Sequence, residues 1–182
     1  VMTMLAGAMK ELKVGDPGLL STDVGPVIDA DALKILQDHA ERMDREARLI
    51  AAAELSAEAA HGTFFAPRAY ELKNLGQLQK EIFGPVLHVI RWKGEQLDAV
   101  IEQINATGYG LTLGVHSRID ETVDRITNGI QVGNVYVNRN QIGAVVGVQP
   151  FGGQGLSGTG PKAGGPHLSL IHISEPTRLL SI

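Results

Sequence analysis

The chain has 182 residues, 43% of them hydrophobic and 20% charged, and a net charge of −4. That length suits one domain able to bury a core without staples, and the mild acidity gives no reason to expect nucleic acid or an anionic membrane as partner. There is no cysteine, which excludes disulfides, thiolate metal sites and any thiol nucleophile within the chain, and no apolar run approaches the roughly 18 residues of a membrane span.

In chain order, apolar residues at 1, 4, 5, 8, 9 and 12 predict a helix over residues 1–14, closed by Gly15-Asp16-Pro17-Gly18. It reads as a helix entered part-way, so further chain is expected upstream. Asp29 or Asp31 caps a second predicted helix that runs to about residue 48, with Lys34, Asp38, Glu41, Arg42 and Arg45 on its solvated face. Residues 48–55 suit a strand or a helix equally. Residues 62–70 read as a strand, with Pro67 pointing to a sheet edge. The run VLHVIRW at 86–92 is a clear strand, with Trp92 expected to pack at its end. A helix over 95–105, a strand over 111–116, a helix over 120–127 ended by Asn128-Gly129 and a strand over 131–137 follow. This alternation predicts an α/β fold, a mostly parallel sheet flanked by helices. Residues 138–165 are loop-like, with nine glycines and two prolines, and a loop of that length is usually functional or disordered.

Two familiar motifs fail on context. Gly153, Gly155 and Gly158 spell G-x-G-x-x-G, but a dinucleotide fingerprint needs a strand before it and a helix after it. Here Gln149-Pro150-Phe151 precedes and Thr159-Gly160-Pro161 follows, which cannot open a helix. Ser157 is no nucleophile elbow, because position 159 is Thr159 where that motif needs glycine. The six histidines show no metal-ligand spacing, so no metal site is expected.

Two other segments are candidates. In Glu81-Ile82-Phe83-Gly84-Pro85-Val86, residues 81 and 83 of an extended chain face one side. A carboxylate there can accept bonds from sugar hydroxyls while the ring covers an apolar ligand face. An exposed acid and a core Phe before a turn explain the same pattern, and residue chemistry alone favours that simpler account. In the loop IGAVVGVQPFGG, residues 142–153, small Gly143 and Ala144 leave backbone N–H groups accessible to an anion, and Phe151 can wall an apolar pocket. A tight loop needing glycine for positive φ explains this segment about as well.

Together EIFGPV, INATGYGLTLGVHSR, NGIQVGNVYVNRN and QPFGGQGLSGTGPKAGGPH resemble the aldehyde dehydrogenase superfamily. NRNQIGAVVGVQPFGG with GLSGTGPKAGGPH is similar to its 1-pyrroline-5-carboxylate (L-glutamate γ-semialdehyde) dehydrogenase branch. Within that branch the resemblance is to the form that bacteria fuse to a proline dehydrogenase. It covers residues 1–167, which it implies are a partial catalytic domain from the C-terminal part of that fold. The implied reaction oxidises glutamate γ-semialdehyde to glutamate in proline catabolism, with NAD as cofactor. FAD would belong only to a proline dehydrogenase domain outside this chain. The resemblance places Glu81 at the nicotinamide ribose, Phe83 beside the nicotinamide, Gly143 and Ala144 at the substrate α-carboxylate, and Phe151 along the aldehyde's aliphatic chain. It implies no catalytic residue here, because the cysteine nucleophile and general-base glutamate of the family lie upstream. It also implies a homo-oligomeric, cytoplasmic enzyme. Residues 168–182 match nothing in the family and are expected to be a foreign tail outside the packed domain. The alternatives are an inactive structural or assembly remnant, another aldehyde dehydrogenase, and a free-standing anion-binding module.

Overall fold

The structure, a computed structural model, describes residues 1–145, 147–158 and 161–168, and its contacts divide it into two units, Val1–Arg91 and Trp92–Ile182. In the first, helix α1 (Met2–Lys10) buries Met9 and is followed by α2 (Ala30–Glu46). Of the two candidate caps, Asp29 does the capping: its carboxylate accepts from the Ala32 N–H at 2.8 Å. Helix α2 buries Leu36, His39, Ala40 and Met43, the i, i+3, i+4, i+7 stripe of an amphipathic helix. Leu36 joins Ala40 and Phe65 in one apolar cluster, and Met43 joins Tyr70 and Leu72 in a second. Fully burying Leu36 and Met43 stabilises the fold by roughly 1.5–3 kcal/mol each.

The sheet beneath has the order β1 (Arg48–Ala52), β2 (Arg68–Leu72), β3 (Val86–Ile90). Strands β1 and β2 are antiparallel, while β2 and β3 run parallel from Arg68↔Val86 to Leu72↔Ile90. Residues 48–52 are thus a strand. The strand expected over 62–70 starts only at Arg68, and it is central rather than at an edge. Pro67 has no N–H to give a ladder, so it sits just before the strand, where its carbonyl accepts from the Ala53 N–H at 2.9 Å. The Glu71 carboxylate on β2 accepts from both Arg48 and Arg91, tying the two flanking strands to the central one. Trp92 lies outside β3 and is 43% exposed, so the packing role expected for it does not hold.

In the second unit, α3 (Leu97–Ala106) buries Leu97 and Ile101. Strands β5 (Thr112–Val115) and β6 (Asn134–Val137) pair in parallel, joined by helix α4 (Asp120–Gly129), the crossover that parallel neighbours require. Short β4 (Tyr109–Gly110) pairs antiparallel with β7 (Gln154–Gly155). The α/β class and the parallel pairs agree with the sequence. Among the described residues the strands form three sheets where the alternation implied one, and β3 belongs to the sheet of the first unit. The long Gly-rich segment is also more ordered than a bare loop, holding β7 and a bridge between Phe151 and Ala163. Of the expected tail, Leu168 is exposed and residues 169–182 lie outside the described residues.

Candidate functional site

Residues 81–86 enter β3 with their side chains alternating. Ile82 packs against the Leu36, Ala40 and Phe65 cluster, while Glu81 and Phe83 face outward. Phe83 is 86% exposed, which overturns the reading of it as a core residue before a turn. A Cβ on Gly84 would stand 2.5 Å from Leu36 Cδ2, so only glycine lets this turn seat on α2. Among the described residues the Glu81 carboxylate has no internal partner. This leaves a carboxylate without a partner among the described residues two positions from an exposed ring.

In the second unit, Gly143 and Ala144 are half-buried, and among the described residues neither backbone N–H has an internal acceptor. A Cβ built on Gly143 meets nothing within 4 Å, so a side chain's first carbon would have room at that position. Positive φ occurs at Gly147 (78°) and not at Gly143. The turn around Gly147 is closed by Gln149, whose side chain accepts from the Val145 N–H at 3.1 Å and whose own N–H donates to the Val145 carbonyl at 2.9 Å. The conformational need for glycine in this loop falls at Gly147 and not at Gly143.

Phe151 is half-buried. Its N–H donates to the Ala163 carbonyl at 2.9 Å and its carbonyl accepts from the Ala163 N–H at 2.8 Å. The backbone packs closely beside it: a Cβ on Gly133 would collide with the Gly152 carbonyl oxygen. Gln154 and Gly155 of the G-x-G-x-x-G stretch form β7, in keeping with a packing loop rather than a dinucleotide turn. Ser157 Oγ accepts from the Gly110 N–H at 3.0 Å, a structural use of that hydroxyl.

Glu81 and Phe83 thus belong to the first unit, and Gly143, Ala144 and Phe151 to the second. Three features were given no role from the sequence. Asn138 adopts φ 54°, and its side-chain amide bonds both the N–H and the carbonyl of Ser117, at 3.0 and 2.9 Å, where the chain leaves β6 for the Gly143 loop. Asparagine's tolerance of this conformation was the available signal. Asn134 bonds on either side of Phe151. His39 and His88, far apart in sequence, meet Nε2 to Nε2 at 2.8 Å. Burial, with His88 and Arg42 adding to it, pushes the His39 pKa down to about 4, and burial also lowers that of His88. Among the described residues no three His, Asp or Glu side chains gather as metal ligands. A surface cleft of about 470 Å³ beside α2, lined in part by Glu41, Asp44, Phe64, Phe65 and Arg68, contains none of the candidate residues.

The sequence profile described as the Aldehyde dehydrogenase family matches residues 1–175, running past residue 167, where the resemblance in sequence was expected to end. Bifunctional protein PutA of Klebsiella aerogenes is 57% identical over 96% of this chain, which spans 14% of that protein. A 1-pyrroline-5-carboxylate dehydrogenase of a Geobacillus species is 39% identical over 97% of the chain, 34% of its own length. Among solved structures, a mutant of Bradyrhizobium japonicum Proline Utilization A superposes with a TM-score of 0.86 at 58% identity, over 91% of this chain and 17% of that one. A Thermus 1-Pyrroline-5-Carboxylate Dehydrogenase with bound NAD gives 0.79 at 38% identity, over 91% of this chain and 31% of that one. This chain therefore belongs to the aldehyde dehydrogenase family.

Proposed function

We propose that this chain is the C-terminal catalytic portion of an NAD-dependent L-glutamate γ-semialdehyde (1-pyrroline-5-carboxylate) dehydrogenase of proline catabolism. The observation that carries the reading is the pair of N–H groups at Gly143 and Ala144, which have no internal acceptor among the described residues. Such a pair suits a carboxylate, because charge-assisted bonds to backbone donors are strong and small side chains let the anion approach. Held there, glutamate semialdehyde lays its aliphatic chain along Phe151 and extends its aldehyde away from the anchor. Glu81 accepts from the ribose hydroxyls of NAD and Phe83 covers one face of its nicotinamide. NAD, when bound, supplies the hydride acceptor. The identity to PutA and to 1-pyrroline-5-carboxylate dehydrogenases supports this substrate, and the NAD bound in the Thermus relative supports this cofactor.

With no cysteine in the sequence, the thiolate that attacks the aldehyde and the base that activates water come from the family's segment upstream of these residues. FAD belongs to a proline dehydrogenase domain outside this chain. No helix among the described residues is long and apolar enough to cross a membrane. A homo-oligomeric, cytoplasmic enzyme is part of the same reading and rests on the family resemblance alone. A second reading, an assembly element without turnover, is favoured by the missing thiol for the chain alone. The experiment is a chimera in which residues 1–167 replace the matching segment of Klebsiella aerogenes PutA. NADH formation is then compared between glutamate semialdehyde and aliphatic aldehydes lacking the carboxylate. Preference for glutamate semialdehyde supports the reading. A soluble, folded chimera with no such preference overturns it.

A further inference from the structure

We infer that Asn134 is a positioning residue that fixes Phe151, and through it the fit of the substrate's aliphatic chain; this rests on the role proposed for Phe151. Asn134 opens β6, where pairing with Thr112 on β5 fixes its backbone. Its side chain is half-buried and both ends of the amide are used. Nδ2–H donates to the Pro150 carbonyl at 3.0 Å, and Oδ1 accepts from the Gly152 N–H at 3.2 Å. Pro150 and Gly152 are the two neighbours of Phe151, so one planar group holds the chain just before and just after the ring-bearing residue.

On the other side, Phe151 exchanges both main-chain bonds with Ala163. The Lys162 ammonium bonds the Gly133 carbonyl, one residue before Asn134, so the partner segment is tied to the same strand end. Phe151 is held from two directions in a stretch whose glycines give the backbone little stiffness of its own. Only an amide supplies a donor and an acceptor at this spacing. A carboxylate keeps the acceptor and loses the donor, and a branched alkyl group loses both. The ring's placement sets how closely an apolar chain can pack, so Asn134 acts on substrate affinity without touching substrate.

The test pairs exchange with kinetics. In the chain itself, amide hydrogen exchange at Gly152 should quicken about fivefold in Asn134→Leu, the loss of one ordinary hydrogen bond. Asn134→Asp should leave it nearly unchanged. In the PutA chimera, Asn134→Leu should raise KM for glutamate semialdehyde several-fold with kcat within about twofold. The same change made in a Phe151→Ala background should add nothing further, because the ring it positions is gone. Unaltered Gly152 exchange in Asn134→Leu overturns the inference, as does a KM effect that persists fully without the ring. A KM that does not respond to Phe151→Ala overturns the role proposed for Phe151. In that case the exchange rate still decides whether Asn134 clamps the loop.

Discussion

Replacing Gly143 by Val probes the carboxylate anchor with little damage to the fold. A Cβ at this position meets nothing within 4 Å, and the residue is not at positive φ, so the first carbon of a side chain adds neither a clash nor left-handed backbone strain. An expectation of strain from positive φ belongs to Gly147 and not to Gly143. What Val changes is the space in front of the Gly143 and Ala144 N–H groups. An anion kept from one such donor loses a charge-assisted bond, roughly 1.5–3 kcal/mol. That converts to a fall of about ten- to a hundredfold in kcat/KM for glutamate semialdehyde. Aliphatic aldehydes without the carboxylate never use the donors, and their kcat/KM should stay within about threefold. Steady-state NADH formation by the PutA chimera and its Gly143→Val form, with both substrates, makes the measurement. An equal loss on both would refute the anchor and leave residues 142–149 with a structural role only.

The chain alone should form no NADH from glutamate semialdehyde above a blank, because it has no thiol to attack the aldehyde; absorbance at the NADH band checks this, and any sustained rate refutes it. Stability should fall as pH drops from about 6.5 to about 4, since the unfolded chain takes up a proton that folded His39 resists in that window. The loss, at most about 3 kcal/mol from His39, should shrink in His39→Leu, and urea melts at pH 7, 5.5 and 4.5 that keep the same slope would contradict it. Gly133→Ala should cost roughly 1–3 kcal/mol, because its Cβ would collide with the Gly152 carbonyl oxygen and one backbone must move; a melting temperature equal to that of the parent chain would show that this approach is looser than described.

The sequence carried the elements better than their pairing. Helix α2 and its solvated face were legible because capping and periodicity are local, while the choice between Asp29 and Asp31 as cap came only with the structure. The division of strands among three sheets was not, because alternation along a chain says which segments are strands and not which edges meet. Pro67 misled in the same way: it marks where a donor is missing, which the fold satisfied by starting β2 one residue later. At the site, the 81/83 alternation was legible, whereas only the seating of Ile82 and Gly84 on α2 decides that Phe83 is outside the core. The glycine-rich loop showed that special backbone was needed without showing where, and the structure assigns it to Gly147. The partners of Asn134, Asn138 and His39 lie 16 to 49 residues away, beyond the reach of any local pattern.

The most direct measurement is a crystal structure of the PutA chimera with glutamate bound. The account expects the α-carboxylate oxygens within about 3.2 Å of the Gly143 and Ala144 nitrogens, with the side-chain methylenes against the Phe151 ring. Glutamate seated with its α-carboxylate on other donors, and the Gly143 and Ala144 N–H groups facing only water, would contradict it.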